Sequence, residues 1–341
     1  MIECPSGTAV SPDRPIGVFD SGIGGLTVAR EIMQLLPNES LVYFGDTLRC
    51  PYGSLPLDVI RDYASQIAVW LSRQSVKLLV IACNSATAAA LDYIRLISPV
   101  PVLGVIEPGA RAAVRTTENR CIGVIGTNAT IDSGVYSRTI RQQDPSMTVF
   151  SAATPRFVEM IEAGLRLDRN PMETFMAPVS SIYVRPAFQE IARDYLDPLR
   201  RCDVDTLVLG CTHYPLIIPL ISSIMGSSVK IISSAEETAQ DVAEALASSG
   251  VLASSDAVAR HRFVTTATDI EEFRVLGSAI IGRDIAYPEQ VSLEELESCC
   301  YPAVGEPAAA SSPVGEPVGQ VGEPAANCAD INTTTILDEA R

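Results

Sequence analysis

Short runs of aliphatic residues recur along the chain, and each leads into a segment with helical periodicity. The clearest runs are IGVFD (16–20), KLLVIAC (77–83), CIGVIG (121–126) and VDTLVLGC (204–211). Apolar runs of this length predict strands that are buried on both faces. Strands that alternate with helices are typical of parallel sheets joined by right-handed crossovers. The sequence therefore predicts an α/β protein with mostly parallel sheets flanked by helices.

Two pairs of these segments resemble each other in the same order along the chain. PIGVFDSGIGG resembles CIGVIGTNAT at an offset of 106 residues, and VKLLVIACNSAT resembles VDTLVLGCTHYP at an offset of 128. The difference between the offsets indicates an insertion in the second half, near 166–187. We expect two pseudo-symmetric lobes with the active site in the cleft between them.

The segment from 291 to 341 differs in composition from the rest of the chain. VGEP occurs three times in it, at 304–307, 314–317 and 321–324, and the segment has nine acidic residues and one basic residue. So little apolar surface cannot offset the entropy of ordering, which predicts a disordered acidic tail. Truncation after about residue 292 is therefore expected to leave the fold nearly unchanged.

Composition limits the function classes. The formal net charge of −16 argues against a nucleic-acid partner, which needs basic patches. Nine cysteines, an odd number without Cys-x-x-Cys spacing, indicate reduced thiols in the cytoplasm. Two histidines exclude a His-rich metal site, and neither a signal peptide nor an apolar segment long enough for a membrane span is visible.

Cys83 and Cys211 occupy matching positions in the two similar halves, each between a predicted strand and a predicted helix. A cysteine there lies at the carboxyl edge of a sheet and near a helix N-terminus, which favours the thiolate. Polar residues that could bind a carboxylate follow both cysteines: Asn84, Ser85, Thr87, Thr212 and His213.

Asp20 ends the first strand and opens the turn DSGIGG, where glycines allow a ligand to approach the backbone. The turn has neither the GxGxxG spacing nor the Walker lysine, so we expect no nucleotide cofactor. Asp20 is placed to act beside Cys83, as His213 is beside Cys211.

Two thiols that face each other across a cleft suit the inversion of a carbon stereocentre, in which one base removes a proton and the other donates one. Two other classes stay open from the residues alone. Cys211 and His213 could form a Cys-His acyl-transfer enzyme, although Cys83 would then have no role. The same fold could also serve as a non-catalytic binding protein.

Six segments in order resemble the signatures of the glutamate racemase family, within the aspartate/glutamate racemases. They are FDSGIGGLTV (19–28), GDTLRCPYG (45–53), ACNSAT (82–87), IGVIGTNAT (122–130), FVEMIEAG (157–164) and LGCTHYPL (209–216). RFVTTATDIEEFRVLG (262–277) resembles the closing strand and helix of that family, and the resemblance covers roughly 14–290.

The resemblance implies a cofactor-independent racemase that interconverts L- and D-glutamate and supplies D-glutamate for peptidoglycan. It implies that Cys83 and Cys211 are the two bases and that Asp20, Glu162 and His213 support them. The implied substrate-binding residues are Asp20, Ser21, Tyr52, Gly53, Asn84, Ser85, Thr212 and His213. Glutamate is the implied substrate, no metal or membrane is expected, and a homodimer is possible.

The family also implies the lobe boundaries. The first lobe would comprise 15–108 and 226–290 and the second 109–225, with an N-terminal extension at 1–14. Ser85 stands where the family usually has threonine, and Cys50 is expected close to the site. An aspartate racemase of the same family remains an alternative, since it would differ only where the distal carboxylate binds.

Overall fold

The computed structural model describes residues 11–167 and 185–299, which form two parallel β-sheets covered by helices. The first sheet has six strands in the order β10-β9-β2-β1-β3-β4, and the second has four in the order β6-β5-β7-β8. The strands are β1 Ile16–Asp20, β2 Leu41–Gly45, β3 Leu78–Ile81, β4 Val102–Gly104, β5 Cys121–Gly126, β6 Thr148–Ala153, β7 Thr206–Gly210, β8 Lys230–Ser233, β9 His261–Thr265 and β10 Glu289–Gln290.

Helices connect the strands and cover the sheets. The α-helices of the described residues are α1 Leu26–Leu35, α2 Leu57–Arg73, α3 Asn84–Ile97, α4 Ile106–Thr116, α5 Asn128–Asp132, α6 Val135–Gln143, α7 Arg156–Leu167, α8 Pro186–Arg201, α9 Ile218–Met225, α10 Ser234–Ser248, α11 Ile270–Ile281 and α12 Leu293–Glu297. The predicted α/β architecture, with mostly parallel sheets flanked by helices, is confirmed: every strand pair of both sheets is parallel.

The central strands are apolar because both of their faces are covered. All residues of β1, β3 and β7 are buried, which explains why their sequences read as continuous aliphatic runs rather than as alternating patterns. In the first sheet β1 pairs with β2 on one side and β3 on the other, and in the second sheet β5 pairs with β6 and β7. The strands of a parallel sheet all end at the same edge, so the turns that carry the candidate site residues lie along that edge of each sheet.

The first sheet is anchored on its opposite side by a buried ion pair. Lys77 Nζ lies 2.5 Å from Glu39 Oε2 and donates hydrogen bonds to the carbonyls of Pro12 at 2.7 Å and Val251 at 2.9 Å. Both charged side chains are almost wholly buried. Part of the predicted N-terminal extension is therefore packed on the first lobe, while residues 1–10 lie outside the described residues.

The lobe boundary that we predicted at residue 226 does not match the sheets. The strand Lys230–Ser233 was expected in the first lobe, but it pairs in parallel with β7 and forms an edge of the second sheet. The amide of Lys230 donates to the carbonyl of Asp205 at 2.7 Å, which fixes this register. The chain therefore returns to the first lobe only after β8. Most of the predicted insertion, from 168 to 184, lies outside the described residues.

The predicted start of the tail at residue 291 is wrong. Residues 293–297 form α12, which packs on α2, and the Trp70 indole donates a hydrogen bond to Glu295 at 2.8 Å. Leu296 and Cys299 are buried almost completely. The acidic, aromatic-poor composition of 291–341 hid this short apolar anchor, because the anchor is a small part of that segment. The rest of the predicted tail, 300–341, lies outside the described residues.

This anchor changes the expected result of truncation. A chain that ends at Ser292 loses the burial of Leu296 and Cys299, so its free energy of unfolding should fall by about 2–4 kcal/mol. A chain that ends at Cys299 keeps both contacts and is the matched control. Urea denaturation of the two chains beside the full-length protein measures the difference. Equal stability of all three would contradict the assignment of the anchor.

Candidate active site

Cys83 is separated from the end of β3 by a single residue and caps the N-terminus of α3. Its Sγ accepts a hydrogen bond from the Ala86 amide at 3.5 Å and lies 3.8 Å from Oγ of Ser21. Burial, and then the nearby carboxylate of Asp20, raise the pKa of this thiol to about 12, against the opposing effect of the Ala86 amide and Ser21. The Cys83 thiol therefore holds its proton at neutral pH in the substrate-free site.

Cys211 follows β7 and has a different partner. Its Sγ lies 3.8 Å from Nδ1 of His213, and Nε2 of His213 lies 3.3 Å from Oε1 of Glu162, without the alignment of a hydrogen bond. Sulfur, imidazole and carboxylate therefore form a row, in which the imidazole and the sulfur are buried.

The charges in this row support each other. Burial lowers the pKa of His213, but its contacts with Cys211 and Glu162 outweigh burial and raise that pKa well above the usual value. Burial likewise raises the pKa of Glu162, but His213 and Arg166 more than offset it, so the net pKa of Glu162 is lowered. At neutral pH the ring is protonated and the carboxylate is ionised, which places a proton donor next to Cys211.

Asp20 lies at the end of β1, at the centre of the cleft. Its carboxylate accepts the Gly22 amide at 3.1 Å and the Thr212 hydroxyl at 3.4 Å, and burial raises its pKa against the opposing effects of His213 and these donors. The contact with Thr212 joins the carboxyl edge of the first sheet to that of the second. Asp20 therefore touches residues on both sides of the cleft.

The polar side chains after the two cysteines form a cradle. Ser85 Oγ lies 2.9 Å from Oγ1 of Thr127 and 3.3 Å from Oγ1 of Thr130, so hydroxyls of both lobes meet. The Tyr136 hydroxyl donates to Oδ1 of Asn84 at 2.7 Å, while Nδ2 of Asn84 is buried without a partner in the structure. An unpartnered buried amide is costly, so this donor is well placed for a carboxylate of a ligand.

Tyr52 and Gly53 contribute to the cleft in different ways. The Tyr52 side chain is buried, and its hydroxyl donates to the Asp46 carboxylate, which Arg49 also contacts at 2.7 Å. The Tyr52 hydroxyl is therefore already hydrogen-bonded, and the groups of this turn that remain available to a ligand are its backbone groups. A Cβ at Gly53 would lie 2.5 Å from Cβ of Thr127, so only glycine allows the turn to approach the second lobe this closely.

A cavity of about 360 Å³ opens beside this cradle. Its lining includes Gly22, Cys50 and Glu162 and residues from both lobes, among them Arg166 on α7 and Glu272 on α11. Cys50 was expected near the site, and its Sγ lies 3.1 Å from the position that a Cβ of Gly22 would take. The cavity therefore leads from the surface to the turn that carries Asp20 and Ser21.

The described residues group no three His, Cys, Asp or Glu side chains that could hold a metal ion. None of their helices is both long and apolar enough to cross a membrane.

The predicted site residues lie at the carboxyl edges of the two sheets and on the turn and helix beside them. The Thr87 hydroxyl, also expected to bind a carboxylate, instead donates to the carbonyl of Ile81 at 2.9 Å. Sequence reasoning missed Thr127 and Thr130 as partners of Ser85, and Asp46 as the partner of Tyr52. One signal could have found Thr127: in the internal repeat at an offset of 106, it occupies the position of Ser21. The contact of Arg166 with Glu162 at 3.4 Å has the i,i+4 spacing of a helical ion pair, a signal that was not used. Nothing in the sequence signals the contact of Arg166 with Glu272 at 3.0 Å.

Comparison with known proteins places these features in a family. The family described as Asp/Glu/Hydantoin racemase matches residues 27–242. Glutamate racemases of Exiguobacterium sibiricum and Corynebacterium diphtheriae are 41% and 44% identical to this chain, over 84% and 82% of its length and 99% and 98% of theirs. A structure of glutamate racemase from Francisella tularensis in complex with D-glutamate is 34% identical, with a TM-score of 0.73, and the match covers 83% of this chain and 99% of that one. The chain belongs to the aspartate/glutamate/hydantoin racemase family.

Proposed function

We propose that this protein is a glutamate racemase, an isomerase that interconverts L- and D-glutamate by proton transfer at Cα between two thiols. The observation that carries the proposal is the convergence of Cys83 and Cys211, from matching positions of two sheets, on one cleft with different charged partners. The names of the similar proteins, and the D-glutamate in one of them, support glutamate as the substrate.

In the proposed reaction, one thiolate removes the Cα proton and the thiol on the opposite face returns a proton to the planar carbanion. Cys83 holds its proton in the free site and is therefore the donor of the resting state. When Cys83 must act as the base, the substrate ammonium group brings positive charge next to Asp20 and Cys83, which offsets the burial that opposes the thiolate. Protonated His213 beside Cys211 supplies or holds the proton on the other face.

The cradle residues fix the substrate and stabilise the carbanion. The free Nδ2 of Asn84 and the hydroxyl of Ser85 are donors for a carboxylate, and the Thr212 hydroxyl becomes one when it turns away from Asp20. Donors placed in advance act most strongly where charge develops. The backbone of the Tyr52–Gly53 turn closes the other side. D-glutamate made here would serve peptidoglycan synthesis, and the cytoplasmic location and the homodimer stay predictions.

Two alternatives make different predictions. An aspartate racemase would need the distal carboxylate bound one methylene closer to Cα, so the rates with L-aspartate and L-glutamate separate the two substrates. A Cys-His acyl-transfer enzyme is favoured by the 3.8 Å contact between Cys211 and His213, but it gives Cys83 no role.

Serine variants separate the two-thiol mechanism from the acyl-transfer alternative. Cys83→Ser and Cys211→Ser should each lower glutamate racemisation by at least about 10²-fold, since a serine hydroxyl is a far weaker acid than a thiol and forms almost no alkoxide near neutral pH. One remaining thiol can still remove the Cα proton of β-chloroglutamate while chloride leaves from Cβ. The two variants should therefore eliminate chloride from opposite enantiomers. Near-normal racemisation by Cys83→Ser would exclude the two-thiol mechanism.

Racemisation should require no added cofactor, because the two thiols and the cradle provide both proton transfers and the carbanion stabilisation. The measurement is optical rotation of L-glutamate with protein that has been dialysed against a chelator, without pyridoxal phosphate. Full retention of the rate is expected. A rate that is lost on dialysis and restored only by pyridoxal phosphate or a metal ion would contradict this prediction.

The protonation state of His213 can be measured directly, because the chain has only two histidines. Imidazole NMR shifts should titrate with a pKa well above 6.5 for His213 and below it for His261, whose pKa is lowered by burial and Arg283. A raised pKa means that the charge on His213 is present at neutral pH and lost as the pH rises through that pKa. Glu162→Gln removes the anionic partner and should lower the pKa of His213 while the signal of His261 stays unchanged. An ordinary pKa for His213 in the unmodified protein would contradict a protonated imidazole between Cys211 and the ionised Glu162.

A further inference from the structure

Arg166 connects the two lobes at the mouth of the cavity. Its guanidinium lies 3.4 Å from Oε2 of Glu162, one turn earlier on α7, and 3.0 Å from Oε1 of Glu272 on α11. Helix α7 follows the edge strand β6 of the second sheet, whereas α11 follows β9 of the first. The arginine therefore bridges a carboxylate of each lobe.

The two oxygens of Glu162 face different cations. Oε1 lies 3.3 Å from Nε2 of His213, and Oε2 lies 3.4 Å from Arg166. A glutamate side chain on a helix can adopt several rotamers, and its exposed fraction here is 20%, so burial alone does not fix it. Contacts on both oxygens restrict the carboxylate to the orientation that meets the imidazole.

Arg166 is also the only basic side chain among the described residues that line this cavity, where Glu159, Glu162, Asp269 and Glu272 are the acidic ones. A purely electrostatic role at the mouth would affect every anionic substrate, whichever enantiomer it is. A role in orienting Glu162 would affect only proton transfer at Cys211, the thiol that contacts His213. The two roles are therefore separable by experiment.

We propose that Arg166, anchored across the cleft by Glu272, is a positioning residue that holds the Glu162 carboxylate against His213 and thereby supports proton transfer at Cys211 but not at Cys83. This rests on the proposed racemase function. Cys83 lies beside Asp20 and Ser21 of the first lobe, whereas the contacts of Arg166 are with Glu162 and Glu272. The effect of Arg166 must therefore be confined to one face of the substrate.

The test compares chloride elimination from the two enantiomers of β-chloroglutamate, since each elimination uses one thiol. Arg166→Gln should lower the rate for the enantiomer whose elimination Cys211→Ser abolishes, relative to the rate for the other enantiomer. The ratio of the two rates should change by about threefold to fivefold, which is the size of effect expected for a half-exposed ion pair. Weaker attraction of the anionic substrate would lower both rates alike and leave the ratio unchanged. Arg166→Lys keeps the charge and should restore part of the ratio.

Two further variants complete the design. Arg262→Gln breaks the Arg262–Glu289 pair, whose arginine is about as exposed as Arg166 but lies near the amino end of β9, and should leave the ratio unchanged. Glu272→Gln releases the anchor and should shift the ratio in the same direction as Arg166→Gln. An unchanged ratio in Arg166→Gln, a ratio shifted against the Cys83 enantiomer, or an unaffected Glu272→Gln would each overturn the proposal. Failure of the unmodified protein to racemise glutamate would instead overturn the proposed function.

Discussion

The site depends on the contact between the carboxyl edges of two parallel sheets. Neither sheet carries a complete set of groups: the first supplies Asp20 and Cys83, and the second supplies Cys211 and His213. The sheets must approach closely enough for the Asp20 carboxylate to accept the Thr212 hydroxyl across the cleft. Small residues make that approach possible, because a Cβ at Gly24 would lie only 2.4 Å from Nδ1 of His213. A larger residue at this position would have to separate the lobes or displace the imidazole.

The same contact creates two unlike environments for two like groups. Cys83 is buried beside a carboxylate, which disfavours the thiolate, whereas Cys211 lies beside an imidazole whose charge is held by Glu162. The two lobes therefore have similar backbones, but the charged groups around their cysteines differ. Asn84 and Ser85 on the first lobe correspond in the repeat to Thr212 and His213 on the second, and this substitution of side chains is what distinguishes the two faces.

The sequence predicted the parallel sheets, the positions of both cysteines and the polar residues after them. These features are local: an aliphatic run that ends in a polar turn determines both a strand and the residues at its carboxyl edge. The pairing of Lys230–Ser233 with β7 was not predictable in the same way, because an edge strand has weak patterning and its partner is set by tertiary contacts. The short anchor around Leu296 was likewise hidden by the composition that surrounds it.

Side-chain partners were the least predictable part of the site. The hydroxyl cluster of Ser85, Thr127 and Thr130 joins residues of the two lobes that are more than forty positions apart. The charged row from Cys211 to Arg166 joins two segments of the second lobe, and Glu272 of the first lobe extends it. Such contacts depend on how the helices and the lobes pack, which no single segment encodes.

The asymmetry of the two thiols cannot favour either enantiomer at equilibrium, since L- and D-glutamate have equal free energies in water. Any change in the surroundings of one thiol must therefore alter kcat/KM for both directions of racemisation equally. What the asymmetry does set is the starting state of Cys83: burial and Asp20 keep this thiol protonated in the free site, so an enantiomer whose Cα–H faces Cys83 cannot react until that thiol has lost its proton. The unlike partners of Cys83 and Cys211 therefore act differently on the two faces of the substrate, and only a reaction that uses one thiol at a time makes that difference visible.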